Sequence, residues 1–251
     1  MGQSVGQGSR DYIHLNGDYF ASEVHRLMNK AQDDKEAFLA IMEAYYNAAN
    51  LQELPKRWVE KTPGNEYHFR IMNKWFKDDL VILHMMRDPR DNFASYRKKQ
   101  IKTNHDLDIK HFCMRWALSY ELGKIAQKRI KNYHVLRYED LVSNPRKTLE
   151  KVSTWLSIDF NESLLEPTLA GMPWLGNAMR GYEFSGVAKK SIGCYKEMLA
   201  KKETQYIEKV LCPYLVQLGY STDTARAWNL DYAEFKLGLF TRKLKWMLSS
   251  S

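Results

Sequence analysis

The sequence predicts an α/β domain, a parallel sheet whose strands are separated by helices. Three observations carry this reading. Short apolar runs ending at turn residues occur at 58–59, 80–86 and 133–138. Helix-period stretches of a dozen residues or more lie around and between them, and no hairpin signal joins any two. Strands spaced in this way pair in parallel, with helices layered on both faces of the sheet.

In chain order, residues 1–18 read as a loose N-terminus. Their glycines lack both the preceding strand and the Gly-Lys-Ser/Thr ending of a phosphate loop. Residues 19–30 and 33–49 read as helices, the second with Phe38, Ile41, Met42 and Tyr45 on its inward side. Trp58 and Val59 form a short strand ended by Thr62-Pro63-Gly64, and a helix resumes over 66–76. Glu60 and Lys61 then stand at a strand end, where a ligand contact and a plain surface pair are equally good readings.

The stretch 80–99 is the most informative. Leu80 to Met86 are large and mostly apolar, the pattern of a strand buried on both faces. Asp88-Pro89 stops it, with Asp88 as N-cap and Pro89 at the first helical position, where its missing N–H is no loss. Arg87 therefore sits at the carboxyl end of a strand, where open α/β sheets bind ligands. Ser95, two turns into the helix, can face the same crevice, and Arg97, Lys98 and Lys99 follow. A guanidinium, a hydroxyl and a helix N-terminus together form an anion site, most naturally for a phosphate. The competing reading of Arg-Asp-Pro-Arg-Asp is a capped turn with surface ion pairs.

Residues 106–130 read as one long helix with Phe112, Trp116, Leu118, Leu122, Ile125 and Ala126 inward, and 133–138 as the next strand. Asn144-Pro145 opens a helix running to Leu156. Residues 171–196 are basic and loop-like, with Arg180, Lys189, Lys190 and Lys196, and can fold over a ligand or stay solvated. A helix over 203–218 closes at Gly219. Residues 224–248 form a last helical stretch, rich in Trp, Phe and Leu, with Arg242, Lys243 and Lys245 near its end. It can pack on the body, on a second copy to make a homodimer, or on a membrane surface. The chain thus reads as one domain over residues 1–251, with 223–251 a helical C-terminal extension.

Composition narrows the function. Apolar residues make up 44% of the 251, enough for a sizeable core. A net charge of +8 favours an anionic ligand, and no nucleic-acid-binding motif accompanies it, so nucleic acid is not expected as a partner. Cys113, Cys194 and Cys212 are odd in number and widely spaced, which argues against disulfides or a zinc site and for a reducing compartment. With no transmembrane run and no signal peptide visible, a cytoplasmic protein is expected, peripheral to a membrane if the C-terminal helix touches one.

Three motifs in order resemble one family. They are Val59-Glu60-Lys61-Thr62-Pro63, then Arg87-Asp88-Pro89-Arg90-Asp91 with Ser95, then Leu136-Arg137-Tyr138-Glu139-Asp140-Leu141 followed by Asn144-Pro145. The set is similar to the sulfotransferases that use 3′-phosphoadenosine 5′-phosphosulfate (PAPS). The resemblance implies a P-loop-like three-layer fold and transfer of a sulfuryl group to a hydroxyl or amine of a glycan, lipid or small molecule, without a metal. It places Arg87 and Ser95 on the 3′-phosphate of PAPS, with Lys99 adding charge a turn beyond, and Tyr138 near the adenine. Lys61 approaches the sulfuryl group, and Lys189 and Lys190 lie in the loop that closes over the cofactor. The usual base has no clear counterpart; Glu60 is the nearest, with Asp11, His14 and Asp18 further off.

One element is absent: no stretch of the sequence matches the Pro-Arg-Ser-Gly-Thr-Thr loop that holds the 5′-phosphosulfate in this family. The expectation is a sulfotransferase fold whose first strand and loop are missing or replaced, through truncation at the N-terminus. That strand is normally interior, so its loss predicts a gap in the strand order or a rearranged first segment, with an apolar slot exposed. The alternative to an enzyme is a non-catalytic protein of this fold, binding nucleotide or serving assembly.

Overall fold

The computed structural model describes residues 16–49, 57–103, 108–169, 172–173, 191–223 and 230–249. The chain divides into two compact units, one of residues 1–61 with 166–175 and one of residues 62–165 with 176–251.

In the first unit, α1 (Gly17–Met28) starts at Asn16, whose side chain accepts from the Tyr19 N–H at 3.0 Å. Asp33 caps α2 (Asp34–Ala48) in the same way, accepting from the Glu36 N–H at 2.8 Å. The buried Glu23 carboxylate of α1 takes a two-pronged bond from Arg26 and another from Asn47 of α2 at 3.1 Å. Arg26 beside it holds that carboxyl down at about 2. The inward side of α2 is Ala40, Ala44 and Ala48, not the expected row, for Ile41 and Tyr45 are exposed. Alanines one turn apart let two helix backbones approach closely, and the bulky side chains are displaced outward. Trp58 and Val59 are not a strand. Val59 is 93% exposed, and Trp58 instead packs its ring against Phe38 at 5.7 Å.

The second unit holds α3 (Phe69–Phe76), β1 (Ile82–Met86), α4 (Pro89–Thr103), α5 (Ile109–Gln127), β2 (Tyr133–Arg137), α6 (Tyr138–Ser143) and α7 (Pro145–Leu156). A short antiparallel pair, β3 (Thr168–Leu169) and β4 (Met172–Pro173), belongs to the first unit. Three helices, α8 (Tyr195–Met198), α9 (Lys201–Gln217) and α10 (Leu230–Ser249), complete the second. The α/β class and the parallel sheet are thus as the sequence predicts, with strand and helix bounds close to the expected ones. The helix expected over 106–130 is described as α5 from Ile109 to Gln127.

Among the described residues the parallel sheet has two strands, β1 and β2, paired directly from Ile82↔Tyr133 to Met86↔Arg137. No gap separates them. One face carries Ile82, His84 and Met86 with Tyr133, Val135 and Arg137, and α5 covers it. His84 lies between the Tyr133 hydroxyl at 2.8 Å and the Ser119 hydroxyl of α5 at 3.1 Å. A Cβ at Gly123 would fall 2.8 Å from the His84 ring, so only glycine admits this approach of α5 to the strand. On the other face, His134 stacks on Trp155 of α7 at 4.2 Å. Helices therefore flank both sides. Leu83 and Met85, however, are 39% and 45% exposed on that second face, so β1 is not buried on both faces as its apolar run suggests.

The core lies around α5, whose Phe112, Trp116, Leu118 and Leu122 meet Ile207, Leu211 and Leu215 of α9 and Phe235 and Leu239 of α10. Leu122, Ile207, Leu211 and Leu215 are fully buried. The end of α9 is a Schellman turn. The Tyr220 N–H bonds back to the Leu215 carbonyl at 2.9 Å and the Gly219 N–H to that of Val216 at 3.0 Å. Gly219 sits at φ +75°, a left-handed conformation that a Cβ disfavours.

Gly219→Ala should accordingly lower unfolding stability by about 1–2 kcal/mol, read as a drop in urea midpoint at unchanged slope. Burial lowers the His84 imidazole from its ordinary 6.5, against a smaller opposing pull from Glu66. Above 6.5 the ring is neutral folded and unfolded; below it, the unfolded chain takes up a proton that the folded site resists. Stability therefore falls as pH drops from about 7 to about 5, and His84→Gln flattens that dependence in urea titrations across the range.

Candidate functional site

In-register parallel pairing brings the carboxyl ends of β1 and β2 to one edge of the sheet, so Arg87 and Asp88 leave one strand beside Tyr138 and Glu139 leaving the other. Glu139 joins them. One of its oxygens accepts from the Asp88 backbone N–H at 2.9 Å and the other from the Tyr220 hydroxyl at 2.7 Å. Burial, and then this carboxylate, push the Tyr220 phenol well above its ordinary value. From α5, the Trp116 indole N–H donates to the Arg87 carbonyl at 3.1 Å and pins the strand end.

The turn into α4 is built on buried charge. The Arg90 guanidinium, in a residue 2% exposed, takes both oxygens of Asp88 at 2.7 and 3.0 Å and one of Glu208 on α9 at 2.5 Å, and lies over the Tyr195 ring at 4.4 Å. Burial alone would lower its pKa, but Asp88 and Glu208 outweigh that and raise it. Asp88 also accepts from the Arg90 backbone N–H at 2.9 Å, as its role of N-cap predicts. Asp91, 1% exposed, accepts from the backbone N–H groups of Gly193 at 2.7 Å and Tyr195 at 2.9 Å. The ion pairs of this motif are therefore internal, and the surface-pair reading does not apply. They tie the start of α4 to α9 and to residues 191–195.

Arg87 differs from Arg90. Its guanidinium donates to the Ser191 carbonyl at 2.9 Å and lies over the Tyr138 ring at 4.7 Å. Among the described residues it has no carboxylate at ion-pair distance, and its buried Nε has no hydrogen-bond partner. The next strand repeats the arrangement: Arg137 lies over the Tyr220 ring at 4.6 Å, its Nε is also buried without a partner, and its contact with Asp140 is long at 3.7 Å.

Of the residues named from sequence, Arg87 and Tyr138 are thus brought into contact. Ser95 is half-buried one turn beyond Asp91 on the same side of α4, the side facing residues 193 and 195. Lys99 belongs to α4 a turn further on, and its side chain lies outside the described part of the structure, as do Lys189 and Lys190 entirely. Glu60, half-buried, and Lys61, exposed, belong to the first unit, whereas Arg87, Ser95 and Tyr138 all belong to the second. Sequence reasoning quotes Arg90, Asp91, Arg137 and Glu139 within motifs without giving them a role, and does not name Glu208. The signal for Arg137 and Glu139 is their place on either side of Tyr138; Glu208 has none, because its partner is 118 residues away.

Arg90→Ala should cost about 3–5 kcal/mol of stability, since it leaves Asp88 and Glu208 buried without their cation. The exposed Arg97–Glu203 pair serves as contrast, and Arg97→Ala should cost no more than about 1 kcal/mol. Denaturant midpoints of the two variants measure the difference.

A family profile described as "Sulfotransferase family" matches residues 2–162. No curated protein matches the chain. Among solved structures it is similar to the sulfotransferase domain from the curacin biosynthetic pathway, with 18% identity over 86% of this chain and 82% of that one and a TM-score of 0.49. It is also similar to the sulfotransferase domain from the Synechococcus PCC 7002 olefin synthase, with 16% identity over 88% of this chain and 74% of that one and a TM-score of 0.41. Because the family match spans well over half of its residues, this chain belongs to the sulfotransferase family.

Proposed function

We propose that this sulfotransferase-family chain binds PAPS at the carboxyl ends of β1 and β2 and moves its sulfuryl group to a hydroxyl or amine of a glycan, lipid or small molecule. The observation that carries the reading is Arg87: half-buried, facing no carboxylate among the described residues, with a buried Nε that lacks a hydrogen bond. A charged donor left in this condition favours an anion beside it. A phosphate fits, and the 3′-phosphate of PAPS fits the family's motif.

Each residue then has a task. Arg87 donates to the 3′-phosphate, Ser95 adds a hydroxyl and Lys99 further charge. Tyr138, already under the Arg87 guanidinium, keeps it oriented and lines the place of the adenine. Bound PAPS supplies a sulfuryl group whose bond to the 5′-phosphate oxygen breaks as the acceptor oxygen or nitrogen bonds to sulfur, the electrons staying on the phosphate. Lys61 matches the family's residue for the negative charge that builds there, Lys189 and Lys190 match its cofactor-covering loop, and Glu60, which matches no motif base, is the nearest carboxylate in sequence for the acceptor's proton.

Isothermal titration with adenosine 3′,5′-bisphosphate tests the binding half. Loss of one charge-assisted contact is worth about 1.5–3 kcal/mol, so Arg87→Ala should weaken binding by roughly 10- to 100-fold while Arg97→Ala leaves it unchanged. No binding by the wild-type chain would remove the nucleotide assignment. Transfer of radiolabelled sulfate from PAPS to a panel of acceptors tests the chemistry, and binding without transfer would make the chain a nucleotide-binding module.

A further inference from the structure

No step proposed for the reaction uses Asp91, yet its side chain is among the most fully buried of the chain, 1% exposed. It belongs to no ion pair among the described residues. Its partners are two backbone N–H groups far along the sequence: Oδ2 accepts from Gly193 at 2.7 Å and Oδ1 from Tyr195 at 2.9 Å, 102 and 104 residues away. Hydrogen bonds to an ionised acceptor are roughly twice as strong as neutral ones. A carboxylate in the first turn of a helix often serves only to cap it, but here Asp88 already does so. The two oxygens of Asp91 are given to the turn over 191–195.

That turn also carries Ser191, whose carbonyl accepts from the Arg87 guanidinium at 2.9 Å. Among the described residues this is the one hydrogen bond of that guanidinium; its face lies over the Tyr138 ring at 4.7 Å and its Nε has no partner. A ring contact limits the tilt of a flat cation but lets it rotate in its own plane, and a hydrogen bond at one edge fixes that rotation. Gly193, two residues beyond Ser191, sits at φ +75°, and a Cβ on it would meet nothing within 4 Å, so the conformation and not the space calls for glycine. The Arg90 guanidinium over the Tyr195 ring restrains the far end of the turn, and Asp91 restrains it at 193. Ser95 stands one turn beyond Asp91 on the same side of α4.

From this we infer that Asp91 is a positioning residue of the anion site: by gripping the backbone at 193 and 195 it holds the Ser191 carbonyl against Arg87, and so presents the guanidinium in the orientation that meets the 3′-phosphate. The identity of the ligand rests on the nucleotide reading above, whereas the link from Asp91 to Arg87 stands on the bonds alone. In this role Asp91 touches no ligand. An amide at its place has one acceptor oxygen instead of two, and its NH2 group faces the second backbone N–H, donor against donor. The turn then loses one of its two ties, and the Ser191 carbonyl its fixed place.

A double-mutant cycle read by titration with adenosine 3′,5′-bisphosphate tests the inference. Asp91→Asn should weaken binding about tenfold, and less than about twofold once Arg87 is already alanine. Asp91→Asn also lowers the urea midpoint, but a merely structural fault weakens binding equally in both backgrounds. Gly193→Ala strains the same turn without touching α4 and should give the same pattern, so the test holds even if Asp91→Asn does not fold. Nitrogen spin relaxation at the Arg87 Nε–H, assigned by its loss in Arg87→Ala, reads the link without ligand. That group should be rigid in the wild-type chain and mobile in both turn variants, with the Arg137 Nε–H unchanged. Equal weakening in both backgrounds, wild-type affinity in the folded variants, or an Arg87 Nε–H as rigid as before would overturn the inference. If the wild-type chain binds no nucleotide, the ligand reading fails, and the relaxation data alone decide whether Asp91 positions Arg87.

Discussion

The structure of the second unit depends on one buried cation. Arg90 is held by Asp88 before it and Glu208 on α9, and none of the three can be left without the others in so dry a place. The arrangement fixes where β1 ends, the direction in which α4 starts, and where α9 crosses it. Asp91, the next residue, extends the same anchoring to the backbone of residues 193 and 195. A hydrophobic contact at this junction would hold the elements together with less directional control. Charge-assisted bonds fix both distance and angle, as a site at a strand end needs.

Against that fixed frame, Arg87 is the exception. Two arginines three residues apart have opposite surroundings: Arg90 is neutralised and internal, while Arg87 has a backbone carbonyl, an aromatic ring and an unmet donor. Arg137 on the neighbouring strand repeats the second condition over Tyr220. Glu139 lies between these positions, with both oxygens already committed to the Asp88 N–H and the Tyr220 hydroxyl. The carboxylates of Asp88, Asp91 and Glu139 serve the scaffold, whereas the Arg87 and Arg137 guanidinium groups lie over tyrosine rings.

Among the described residues the parallel sheet, with two strands, is small for the number of helices packed on it. Its stability comes from α5, which touches the strands through Ser119 and Gly123 and contributes Phe112, Trp116, Leu118 and Leu122 to the core shared with α9 and α10. This explains how β1 can leave Leu83 and Met85 open on one face without loss of order.

The local features of this chain were legible in its sequence. Apolar periods marked the helices, the runs at 80–86 and 133–138 marked the parallel pair, and Asp88-Pro89, Asn144-Pro145 and Gly219 marked where helices begin and end. Each is decided by the backbone preferences and side chains of a few neighbouring residues. Arg87 and Tyr138 could be named because strand ends place them, and the registry of two strands brings them into contact. Tertiary structure alone decided which arginine is neutralised, since Glu208 comes from 118 residues away. It also decided that alanines rather than bulky residues face inward on α2, that Val59 is exposed rather than in a strand, and that one face of β1 stays open. Those outcomes turn on which distant element comes to lie against each residue, a choice made by the packing of the whole unit that no local pattern encodes.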